Sequence, residues 1–128
     1  MRAAGVPKDP ALQVDAITTE EAGHAAALEL LARGVPFDAI FAGSDLIAVG
    51  AMRALEEKGL RVPEDVALVG FDDIPAAALS HPPLTTIAQD YARAGELLVD
   101  ALIGQIAGAK TEHKMLTPRL VVRKSTST

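Results

Sequence analysis

A chain of 128 residues is long enough for one domain with a real core and too short for two ordinary ones. A net charge of −5 argues against a nucleic-acid-binding module on its own, since phosphate contacts need clustered Lys and Arg. The absence of cysteine removes disulfide frameworks and thiolate chemistry and fits a cytoplasmic location.

Apolar residues make up 49% of the chain, yet there are only three Phe and one Tyr, so the core must be built from Ala, Leu, Val and Ile. No run approaches the roughly 18 apolar residues of a spanning helix, and MRAAGVPKDP has no apolar stretch like that of a signal peptide. Met1 to Gly5 reads as the end of a helix, with Gly5 as cap and Pro7 beyond it, so the chain reads as part of something longer. Lys8 to Ala16 is expected to be loop or extended. Thr18-Thr19-Glu20-Glu21 has capping-box spacing, with the Thr18 hydroxyl accepting from a free backbone N–H and Glu21 reaching back. Ala22, Ala25, Leu28, Leu31 and Ala32 then follow at helical spacing until Gly34.

Phe37 to Ala42 is a short apolar strand. Ser44 can cap the next helix, which shows Ile47, Ala48, Ala51, Met52 and Leu55 on one face and ends at Gly59. Pro63-Glu64-Asp65 makes a turn, and Val66 to Phe71 is a near-continuous apolar run that suits a strand buried on both faces. Ile74 to Leu79 reads as one helical turn, and Pro82-Pro83 forces an extended entry into a strand over Leu84 to Ile87. Asp90 opens a long helix carrying Leu97, Leu98, Ala101, Leu102 and Ile106, ended by Gly108. A loop over Ala109 to His113 follows, then short strands at Met115–Leu116 and Leu120–Arg123, and Lys124 to Thr128 as a frayed tail. The alternation predicts an α/β fold: an open, mostly parallel sheet with helices on both faces and right-handed crossovers.

Ligands of such sheets bind beyond the carboxyl ends of the strands. The polar residues there are Gly43-Ser44-Asp45, Asp72-Asp73, and Gln89 with Tyr91. Ser44 lies where a nucleophile elbow would sit, and His81 is a conceivable partner. But G-x-S-x-G is missing, with Ala42 and Leu46 at the flanking positions, and a helix cap is the commoner role. His24, His81 and His113 are isolated, with His24 expected to face solvent, and Asp72-Asp73 alone offers too few oxygens for a hard cation. Gly43-Ser44-Asp45 lacks the glycines and lysine of a phosphate cradle, and the Asp45 carboxylate would repel an anion. A site for neutral polar ligands remains. There Asp72 would accept from sugar or ribose hydroxyls, at roughly 1.5–3 kcal/mol per charge-assisted bond, and Tyr91 would offer a flat face. The competing reading has Asp72 and Asp73 capping the short helix at Ile74. Spacing alone does not decide between them.

SDLIAVGAMRALEEKGLRVPEDVALVGFDDIP, then PPLTTIAQD from Pro82, then PRLVVRKST from Pro118, resemble in order and spacing the C-terminal part of LacI/GalR-family transcriptional regulators, from about Thr18 to Thr126. The resemblance implies one lobe of a two-lobed, periplasmic-binding-protein-like effector domain. It also implies a sugar or nucleoside-like effector, a homodimer, no cofactor, and operator DNA reached only through an N-terminal helix-turn-helix that this sequence lacks. By position, Ser44, Asp72, Gln89 and Tyr91 would face the effector cleft, and Met52, Leu55, Leu79, His81 and Pro82 would lie at the dimer interface. Residues 1–17 would be the tail of an upstream element and 18–89 the C-terminal lobe. Residues 90–108 would be a helix belonging to the other lobe, and 109–128 the returning strands and tail. The family often has Asn where this chain has Ser44. The implied function is effector binding and dimerisation without catalysis; a sugar-binding protein of an uptake system, and an enzyme using Ser44 or Asp72, are the alternatives. With no first lobe to cover, the stripe Leu97, Leu98, Leu102 and Ile106 is expected to pack on another copy or to refold onto its own lobe.

Overall fold

The computed structural model describes residues 9–110 and 112–127, so the helix end expected over Met1–Gly5 lies outside the described residues. Four strands form one sheet in the order β1-β2-β3-β4. β1 (Ala39–Phe41) pairs parallel with β2 (Ala67–Asp72), and β2 pairs parallel with β3 (Thr85–Ala88). β4 (Arg119–Val121) closes the far edge antiparallel to β3. The expected open, mostly parallel sheet is therefore present, although Met115–Leu116 forms no strand and Met115 is 97% exposed.

The helices begin where short polar residues can take their first N–H groups. α1 (Glu20–Ala32) is capped by Thr19, whose Oγ1 accepts from the Ala22 N–H at 3.1 Å, one residue later than the expected cap at Thr18. α2 (Asp45–Glu57) is capped by Ser44, whose Oγ accepts from Ile47 N–H at 3.3 Å. α3 (Pro75–Leu79) is a short helix with proline in its first turn. α4 (Tyr91–Ile106) is capped by Asp90, whose Oδ1 accepts from Arg93 N–H at 2.9 Å.

The core is dominated by alanine: Ala27, Ala48, Ala51 and Ala54 from the helices, with Leu68 and Leu84 beside the sheet. Small side chains let elements approach closely. The buried face of α1 is Gly23 and Ala27, whereas Ala25 and Ala32, expected on that face, are exposed. The reason lies in α2. A Cβ at Gly23 would run into the Ile47 backbone, and one at Gly50 would run into the Glu20 carbonyl and the His24 nitrogen. The two helices thus touch main chain to main chain through these two glycines. His24 also differs from expectation: its Nε2 meets Glu57 Oε2 at 2.8 Å, tying α1 to the end of α2.

The last residues are an integral part of the lobe. Lys124–Thr126 forms a 3-10 turn, and Ser125 is completely buried, so the frayed tail expected from Lys124 onward is corrected over these residues. The Ser125 Oγ donates to the Leu68 carbonyl at 2.6 Å and accepts from Thr85 N–H at 2.8 Å, stitching β2 to the start of β3. A short polar side chain does this because buried backbone groups must find partners.

α4 stands apart. It has no buried residue, and Leu98, Val99, Leu102, Ile103 and Ile106 are all exposed. The expected refolding of this stripe onto its own lobe does not occur.

Gly50→Ala is expected to lower the unfolding free energy by about 3 kcal/mol, because backbone rather than a flexible side chain would have to yield. Urea denaturation at unchanged slope checks this. An unchanged midpoint would mean that α1 and α2 do not meet there.

Candidate functional site

β1, β2 and β3 run parallel, so their carboxyl ends share one edge of the sheet. At that edge β2 ends abruptly. Asp72 has φ 109° and Asp73 has φ 56°, two successive non-glycine residues in the left-handed half of backbone space. Such conformations cost on the order of 1–3 kcal/mol each and persist where the surroundings over-determine them.

Three sets of bonds supply that constraint. The first comes from Asp45, at the start of α2 and 0% exposed. Its Oδ2 accepts from Ile74 N–H at 2.9 Å, directly after the turn, and its Oδ1 accepts from the Thr86 hydroxyl of β3 at 2.6 Å. Gly70 makes room for it, since a Cβ there would collide with Asp45 Oδ1. The second is an ion pair between Arg123 Nη2 and Asp73 Oδ1 at 2.6 Å. The third joins Asp72 to the residues after β3: its Oδ1 accepts from Tyr91 Oη at 2.6 Å and from Gln89 Nε2 at 3.1 Å, and Gln89 Nε2 also donates to Tyr91 Oη at 2.9 Å.

This arrangement does not fit the capping reading of the aspartates. α3 has no side-chain cap, and the Ile74 N–H belongs to Asp45. Asp73 is engaged with Arg123, while Asp72 joins Gln89 and Tyr91 in an exposed triangle of donors and acceptors. Tyr91 is 55% exposed at the head of α4. A hollow of about 190 Å³ lies beside the triangle, lined by Phe71, Gln89, Asp90, Tyr91 and Leu116 among others. Small-molecule pockets usually enclose roughly 300–1,000 Å³, so this is the size of one wall of a pocket.

Other expected residues fall elsewhere. Ser44 is 3% exposed and its oxygen is engaged in capping α2, so the structure does not draw it into the triangle. Met52 and Leu55, expected at a dimer interface, are 6% and 0% exposed and belong to the lobe's own core; the apolar face of α2 turns inward, which corrects that expectation. Leu79 is 74% exposed, His81 is exposed and Pro82 is half-buried. Among the described residues, no three His, Cys, Asp or Glu side chains stand close enough together to hold a metal ion.

The Asp72 carboxylate raises the Tyr91 phenol above its ordinary value, chiefly because the neutral O–H donates to the carboxylate and secondarily through desolvation and charge repulsion. The chain has one tyrosine and no tryptophan, so alkaline absorbance titration reads this group alone. Its midpoint is expected above about 10 and should fall back toward that value in Asp72→Asn. Asp45→Ala should destabilise more than Thr86→Val. The first strands two donors, the Ile74 N–H and the Thr86 hydroxyl, at roughly 1–3 kcal/mol each, whereas the second removes one donor and leaves only Asp45 Oδ1 without it. Thermal unfolding of both variants checks the order.

A family described as periplasmic binding protein-like domain matches residues 1–126. Over 125 residues the chain is 41% identical to the HTH-type transcriptional regulator CelR of Thermobifida fusca, covering 96% of this chain and 37% of that protein. Over 111 residues it is 42% identical to the HTH-type transcriptional regulator MalR of Streptomyces coelicolor, covering 85% of this chain and 32% of that protein. The solved transcriptional regulator CelR–cellobiose complex superposes with a TM-score of 0.90 at 40% identity, over 97% of this chain and 38% of that one. The chain spans less than two fifths of the length of each of these relatives.

Proposed function

We propose a function from one premise: the chain belongs to the periplasmic binding protein-like domain family, in the form carried by LacI/GalR-type transcriptional regulators. It is an effector-binding module, and its ligand is a small carbohydrate. The observation that carries this reading is the convergence of Asp72, Gln89 and Tyr91 at the carboxyl edge of the sheet. A carboxylate, an amide and a phenol there suit hydroxyl groups: Asp72 accepts from them, Gln89 both donates and accepts, and Tyr91 adds a flat apolar face. The relative solved with cellobiose supports a sugar as the ligand class.

Residues 18–89 act as one lobe, and residues 90–108 cross to a second lobe that supplies the opposite wall of the cleft. The open apolar stripe of α4 and the small size of the hollow support that division. Two copies associate through the exposed Leu79, His81 and Pro82 segment rather than through the buried face of α2. In a parent regulator a helix-turn-helix reads operator DNA, in keeping with the HTH-type names of the relatives. Ligand acts by population shift: it binds one lobe arrangement better and so biases the DNA-binding half. The protein works in the cytoplasm as a sensor and performs no bond-making step. Similarity to named regulators favours this reading over a binding protein of an uptake system.

Calorimetric titration of cellobiose into the parent regulator is the test. Asp72→Ala should weaken binding about tenfold to a hundredfold, the worth of one charge-assisted hydrogen bond. Unchanged affinity would remove Asp72 from the site, and absence of binding by a panel of sugars would overturn the carbohydrate assignment.

A further inference from the structure

We propose that Arg123 is a positioning residue for the ligand-facing carboxylate: by clamping Asp73 to the body of the lobe, it fixes the turn that presents Asp72. The proposal rests on the reading of Asp72 as the group that meets the ligand.

Asp73 has no part in the Asp72–Gln89–Tyr91 triangle; its carboxylate meets the Arg123 guanidinium at 2.6 Å, and both side chains are largely shielded, at 24% and 20% exposure. Partial burial of this kind leaves an ion pair less screened than one at the surface. Arg123 is itself held. Its Nη1 donates to the Leu84 carbonyl at 2.9 Å, and its backbone N–H donates to Thr85 Oγ1 at 2.8 Å. Two residues on, Ser125 is pinned to Leu68, Thr85 and the Pro83 carbonyl. The guanidinium therefore reaches Asp73 from an anchored base, and its planar fork serves a carbonyl and a carboxylate at once, which a lysine ammonium reproduces only in part.

The turn needs such a clamp. Asp72 and Asp73 both have positive φ, and an unrestrained chain of L-residues would relax toward an extended strand end. Asp45 holds the residue after the turn through Ile74 N–H, and Arg123 holds the turn itself. Without Arg123, Asp72 swings away from Tyr91 and Gln89.

Tyr91 is the only tyrosine in a chain without tryptophan, so its emission reports the phenol–carboxylate bond without any ligand present; a phenol donating to a carboxylate is quenched. In the 128-residue protein, Arg123→Met is expected to raise tyrosine emission at neutral pH and to lower the alkaline midpoint of the phenol, with the far-UV circular dichroism retained. Arg123→Lys should recover part of both changes. Asp73→Asn, which attacks the clamp from its other side, should move both readouts the same way and decides the matter if Arg123→Met does not fold. In the parent regulator, cellobiose affinity should fall about tenfold in the variants that show the emission change. Unchanged emission and midpoint in folded Arg123→Met or Asp73→Asn would overturn the proposal, as would a loss of affinity without any change at Tyr91. Failure of the wild-type parent regulator to bind any sugar of the panel would strike the carbohydrate reading alone, because the tyrosine readouts still judge the clamp.

Discussion

One buried carboxylate organises this lobe. Asp45 sits at the N-terminus of α2, where the helix dipole favours negative charge, and it receives the Thr86 hydroxyl and the Ile74 N–H. Burying a carboxylate is costly unless it is well hydrogen-bonded, and here each oxygen has a donor. The result is that α2, β3 and the start of α3 are fixed to a common point directly beneath the end of β2. Gly70 is the silent partner, since a side chain in its place would occupy the space of Asp45 Oδ1. The polar triangle at the sheet edge has a stable floor for this reason.

What the sequence revealed and what it hid follows from the range of the interactions. The helices over 20–32, 45–57 and 91–106 were legible because capping residues and apolar spacing act within a few positions. β2 was legible because a continuous apolar run suits a strand covered on both faces. The contacts from Arg123 to Asp73 and from Ser125 to Leu68 span 50 and 57 positions, and nothing in RKST marks those residues as interior. From the sequence Asp45 shows only as a carboxylate that would repel an anion, because its partner Thr86 lies 41 residues away on another strand. The glycines of the α1–α2 contact carried an unused signal: glycine inside a helix costs about 1 kcal/mol against alanine, so Gly23 and Gly50 each pointed to a close approach. The family resemblance groups Ser44, Asp72, Gln89 and Tyr91; the last three share short hydrogen bonds, whereas Ser44 is engaged in capping α2.

The triangle also bears on the energetics of recognition. Asp72 Oδ1 is already satisfied by Tyr91 and Gln89. A ligand hydroxyl that takes its place at this oxygen exchanges one set of hydrogen bonds for another, and only the surplus counts toward affinity. Under the proposed function, discrimination among hydroxylated ligands would depend on how well each one compensates the displaced phenol and amide.

Ser125 gives the lobe a temporal order as well as a spatial one. Its hydroxyl completes the pairing of residues 68 and 85, yet it is synthesised after every residue at the sheet edge. Chains emerge from the N-terminus during synthesis, so the link between β2 and β3 that Ser125 supplies cannot form until residue 125 has been made. A ribosome that stalls near residue 120 would therefore leave β1, α2 and β2 formed and the Ser125 link between residues 68 and 85 unmade.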